Sequence, residues 1–90
     1  MWDPRILKQG LEVRITPEAE DCHRASRAAG IDEEYDDRRA RCAGKTGSVL
    51  QVDQSDQTCK VRVIIGVGRA DELWFAIAAI DPLRKQRVGD

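Results

Sequence analysis

Two apolar runs flank the polar tetrad Gln54-Ser55-Asp56-Gln57, and no other stretch restricts the fold of this chain as tightly. The first, residues 47–53, carries Val49 and Val52; in the second, Cys59, Val61, Val63 and Ile65 alternate with Lys60 and Arg62. A period of two sends alternate side chains to opposite faces, and a polar tetrad supplies turn residues, so the pattern predicts a β-hairpin. Upstream, Leu11, Val13 and Ile15 alternate with Glu12 and Arg14 after Gly10, the pattern of another half-buried strand. Downstream, Gly66 and Gly68 mark a flexible loop over residues 66–71. A further strand follows, in which Leu73, Phe75 and Ile77 share one face and Trp74 and Ala76 the other, and Asp81-Pro82 marks a break.

The residues between the first strand and the hairpin read as helical. Thr16-Pro17 has the form of a helix N-cap followed by proline at the first helical position, with Glu18, Glu20 and Asp21 near the positive end of the dipole and Gly30 placed as a stop. Ala19, Cys22, Ala25 and Ala29 form its weak apolar stripe, which predicts a short helix or helical turn with a loop as the competing assignment. In residues 31–42, Ile31, Tyr35 and Cys42 fall at helical spacing, which predicts a second short helix packing Tyr35 onto the sheet. Its acids Asp32, Glu33, Glu34, Asp36 and Asp37 adjoin Arg38, Arg39 and Arg41 and read as a solvated face with local ion pairs.

With 90 residues, a single domain is expected, too small for a parallel nucleotide-binding sheet covered by helices on both faces. The expected division is an arm over 1–9, a domain over 10–83 and a basic tail over 84–90 that frays after Leu83. Lys plus Arg total 15 against 16 for Asp plus Glu, without the broad basic excess of a nucleic-acid binder. No apolar run approaches a membrane span, and the first ten residues show no secretory pattern. Three widely spaced cysteines, Cys22, Cys42 and Cys59, fit reduced thiols packed in a cytoplasmic protein.

Gly44-Lys45-Thr46 matches the end of a Walker A loop, but such a loop needs a glycine five residues before its Gly-Lys pair, where this chain has Arg39. It must also follow a strand and open a helix, whereas here the strand comes after. The expected role of Gly44 and Gly47 is a tight turn that launches the hairpin. Cys22-His23 lacks the close-set ligand pairs of a zinc site, and no nucleophile–base pair is apparent. No catalytic, cofactor-binding or metal-binding residue is assigned.

A first strand bearing Glu12-Val13-Arg14-Ile15, the Gly44-x-x-Gly47-x-Val49 turn, the Lys60-Val61-Arg62-Val63 return strand and an aromatic strand ending near a proline together resemble SH3-like barrels. The order is most similar to the repeats of Mind bomb-type ubiquitin ligases. The resemblance implies a mostly β, five-stranded SH3-like barrel with a short helical insertion between its first two strands. It also implies a non-catalytic module that binds a peptide or partner domain, recognising a substrate or adaptor in ubiquitin ligation while another domain performs the transfer. The residues expected to meet the partner are Trp74, Tyr35, Arg69, Asp71, Lys60 and Arg62, with Trp74 as an aromatic anchor beside the loop over residues 66–71. The stretch over residues 44–53 also resembles KOW motifs, which would make the chain an RNA- or ribosome-associated module. Lys60, Arg62 and Arg69 with the cluster Arg38, Arg39, Arg41 and Lys45 would then form a phosphate-binding strip. The mixed charge favours a protein ligand. A homodimer through an edge strand remains open.

Overall fold

The computed structural model describes residues 4–83. Trp2 and the tail beyond Leu83 lie outside them. The chain is mostly β: five antiparallel strands form one sheet, with two short helices between the first two strands. The strands are β1 (Glu12–Ile15), β2 (Thr46–Asp53), β3 (Thr58–Gly66), β4 (Arg69–Ala76) and β5 (Ile80–Pro82), in the spatial order β4-β3-β2-β1-β5. The helices are α1 (Ala19–Ala28) and α2 (Asp36–Arg41).

The alternation read from the sequence sets the inner face. Val13 and Ile15 of β1, Val49 of β2, Cys59, Val61 and Val63 of β3, and Leu73 and Phe75 of β4 are all buried in one cluster. Leu7, Cys22 of α1 and Cys42 at the C-cap of α2 join it. Residues 54–57 form the β2–β3 turn, as expected. Asp53 Oδ1 accepts from the Ser55 and Asp56 N–H groups and from the Ser55 hydroxyl, a side-chain mimic of a backbone turn.

Several local expectations are corrected. The residues 66–71 are not a loop: β3 runs to Gly66 and β4 starts at Arg69, leaving a two-residue turn with Gly68 at φ +69°. The last predicted strand ends at Ala76, gives way to a 3-10 turn over Ile77–Ala79, and resumes as β5, so Asp81-Pro82 continues a strand. Pro82 is tolerated there because β5 lies at an edge. Helix α1 starts after Glu18 rather than at Thr16. The Thr16 backbone is committed elsewhere, donating to Ala79 O and accepting from Gly44 N. Gly30 does stop α1. At φ +86° it donates to Arg27 O while Ile31 N–H reaches Ser26 O, the paired bonds of a Schellman motif.

Gly47 also has a different role from the one expected. It lies within β2, not in the turn. A Cβ at this position would sit 2.3 Å from the Arg62 carbonyl oxygen, so β2 and β3 approach too closely for any side chain. Gly44, at φ +75°, is the true turn glycine.

Candidate interaction site

The outer face of β3 and β4 carries the polar half of the alternation. Lys60 stands opposite Trp74 and Arg62 opposite Glu72, the latter pair 4.0 Å apart as an ion pair. The segment joining α1 to α2 lies alongside. Between it and the strands are two clefts that meet at Trp74. The first, about 370 Å³, is lined by Ile31, Asp32, Asp53, Asp56, Thr58 and Trp74, with Ala29 and Gly30. The second, about 320 Å³, shares Ile31, Asp32 and Trp74 and adds Tyr35, Arg38, Arg39, Lys60 and Glu72 among others. Trp74 is half-buried, as its strand phase opposite Phe75 requires.

Arg39 holds these walls together. Its side chain is 2% exposed. Nη1 donates to Trp74 O at 3.2 Å, and Nη2 donates to Asp32 O at 3.0 Å with Asp36 Oδ1 at 3.5 Å. One guanidinium therefore joins β4, the inter-helix segment and α2. This overturns the reading of Arg39 as part of a solvated face. Its sequence signal is Cys42, the C-cap of α2: it lies three residues beyond Arg39, one helical turn on, and both are buried.

Tyr35 does not pack into the core; it is 45% exposed and sits at the N-cap of α2 with non-helical dihedrals, off the face that its spacing from Cys42 implied. Its ring lies 5.3 Å from the Arg38 guanidinium. Arg38 also binds Asp71 at 2.8 Å, which holds the Asp71 carboxyl below its usual range. The six expected partner-binding residues thus separate. Trp74, Tyr35 and Lys60 line one cleft. Arg62 and Arg69 line a depression of about 160 Å³ at the β3–β4 turn, and Asp71 is tied to Arg38.

The Gly44-Lys45-Thr46 backbone is not arranged to cradle phosphate. Gly44 N–H points to Ile15 O and Thr16 O, and Lys45 N–H to Cys42 O, so amides that a phosphate loop would offer are consumed by the fold. Cys22, Cys42 and Cys59 are buried free thiols. Burial pushes Cys42 up to about 11 and Cys59 up to about 12, so both stay protonated and poorly nucleophilic at neutral pH. Among the described residues no three His, Cys, Asp or Glu side chains are grouped to hold a metal ion, and no helix is long and apolar enough to cross a membrane. Comparison with protein-family models and with curated proteins gives no match.

Proposed function

We propose that this chain is a non-catalytic interaction module, an SH3-like barrel that holds an extended peptide of a partner protein in the groove at Trp74. Chain geometry supports the barrel. The strands β4 and β5 are opposite edges of the sheet, yet Ile77–Ala79 alone connects them. Five flat strands would place those edges roughly 19 Å apart, whereas four extended residue steps span at most about 14 Å, so the sheet has to curl. The observation that carries the binding reading is Trp74, a large side chain left half-buried where two clefts meet. Tryptophan in such a place offers wide apolar contact at little entropic cost.

By resemblance to Mind bomb-type repeats, the ligand would be a substrate or adaptor in ubiquitin ligation, with transfer chemistry residing elsewhere. The proposed location is the cytoplasm, where three unpaired thiols stay reduced.

The test is selection of peptides from a random display library, followed by titration of the synthesised peptides into the isotope-labelled protein. Shifts are expected at Trp74 and Ile31, with binding lost in Trp74→Ala. Peptides that bind Trp74→Ala unchanged would place the site elsewhere. A KOW-like reading gains from Arg62 and Arg69 sharing one depression, and from Lys45 lining a neighbouring cleft with Ile64. The Arg62–Glu72 and Arg38–Asp71 pairs interrupt that strip. Salt-sensitive shifts on Lys45, Arg62 and Arg69 with single-stranded RNA would favour it.

A further inference from the structure

The two clefts differ in charge. The second holds Arg38, Arg39 and Lys60 against Asp32, Glu34 and Glu72, a balanced set. The first holds Asp32, Asp53 and Asp56 with no lysine, arginine or histidine in its lining. Several acids elsewhere are paired with arginines: Asp36 takes Arg27 and Arg39, Asp71 takes Arg38, and Glu72 takes Arg62. Asp32, Asp53 and Asp56 are in no ion pair among the described residues.

Two of these carboxylates are fixed in place. Asp32 Oδ1 accepts the Glu34 N–H at 3.0 Å, and Asp53 Oδ1 is held by the Ser55 hydroxyl and the Ser55 and Asp56 amides. Those bonds orient the carboxylates without cancelling their charge. The same bonds, the Ser55 hydroxyl first, hold the Asp53 carboxyl below its ordinary value, so it is ionised throughout the neutral range. The cleft thus brings Trp74 together with three carboxylates that no ion pair among the described residues engages. A cation on an aliphatic stem satisfies both: the stem lies on apolar surface and the charged head meets the carboxylates and the indole.

We infer that the cleft bounded by Ile31, Asp32, Asp53, Asp56 and Trp74 is a pocket for a lysine or arginine side chain of the bound peptide. This rests on the peptide-binding reading above and specifies its ligand. The second cleft, balanced in charge, then receives the neighbouring residues of the same peptide beside Tyr35 and Lys60.

The experiment uses capped pentapeptides, identical except for arginine, lysine, norleucine or glutamate at the centre, titrated into isotope-labelled protein at low and raised salt. The arginine and lysine peptides should bind about tenfold tighter than the norleucine peptide, with the difference shrinking as salt rises. Shifts should map to the Trp74 indole and to the amides of residues 30–32 and 53–56. The double variant Asp32→Asn/Asp56→Asn keeps the Asp32 Oδ1 that accepts the Glu34 N–H but removes two charges, and should bring the arginine peptide to the norleucine affinity. A dispersed spectrum certifies its fold, and Asp56→Asn alone, on an exposed turn, serves if the double variant fails to fold. Equal affinity for arginine and norleucine peptides, or tightest binding by the glutamate peptide, overturns the charged pocket while leaving the groove intact. If none of these peptides perturbs Trp74 but library-selected peptides do, the pocket inference alone falls. If neither set does, both readings fall.

Discussion

Arg39 is a charged side chain at 2% exposure whose guanidinium binds two backbone carbonyls and sits 3.5 Å from a carboxylate, so its removal strands backbone acceptors in two separate segments. Asp36 keeps Arg27 as a partner, which limits the damage to the Asp32 and Trp74 carbonyls and the space vacated. Arg39→Met should therefore cost about 3 kcal/mol in urea denaturation. Arg39→Lys should rescue little, because an ammonium lacks the planar fork that reaches acceptors on separate elements. Two glycines make a sharper contrast. At Gly47 the new Cβ of alanine would collide with backbone, which cannot swing aside, so Gly47→Ala should cost about 2–3 kcal/mol. At Gly44 the nearest atoms to a new Cβ are 3.8 Å away and only the positive φ is at issue, so Gly44→Ala should cost about 1 kcal/mol. Thermal melts of the two variants check the order. From sequence the two glycines look alike; the crowding at Gly47 comes from Arg62 across the ladder and leaves no local mark. Trp74 was legible because strand phase is local, whereas Arg39 reads as one more surface arginine until its helix is docked.

At the scale of elements, the β2–β3 hairpin was the most legible part because its alternation and its turn are encoded within one continuous stretch. Its weak point is the turn. Asp53 Oδ1 serves three donors there, so Asp53→Ala should speed amide hydrogen exchange at Ser55 and Asp56, while Asp53→Asn, which retains an acceptor, should not. The carboxyl of Asp53 is lowered by the fold, the Ser55 hydroxyl contributing most. A lowered carboxyl supplies stability above its unfolded value and loses it as pH falls through its folded value. Exchange at the turn should thus accelerate in acid in the native protein and remain insensitive in Asp53→Asn, after correction for intrinsic rates. The start of α1 and the 3-10 turn at Ile77–Ala79 were less legible for a shared reason. Thr16 N–H bonds Ala79 O, so each segment is shaped by the other, and a Thr-Pro pair that favours a cap locally is overridden by a distant carbonyl.

Across the whole molecule, the core gathers side chains from every strand, from α1 and from the C-cap of α2, and its three thiols are all fully buried. Cys42 sits on the helical side and Cys59 on the sheet, so together they report on the docking of the two layers. Both are raised from an ordinary value of 9.0, to about 11 and about 12, by loss of hydration. A raised thiol gives stability that is complete below its unfolded value and is lost as pH climbs toward its folded value, because only the unfolded chain releases the proton in between. Stability should therefore be flat in these groups up to pH 9 and fall between pH 9 and about 11, by at most about 1.4 kcal/mol per pH unit for each thiol. Other groups titrate in the same range, so the measurement is a difference: urea unfolding of the native protein against Cys59→Val, which replaces the thiol by an apolar side chain of similar size. The variant should show a shallower alkaline decline, with thiol-reagent labelling of the native protein slow and accelerating in step with global unfolding. An equal decline in both proteins would mean that Cys59 meets water in the folded state, and the sheet face closed by Phe75 and Val61 would not be as tight as its packing indicates.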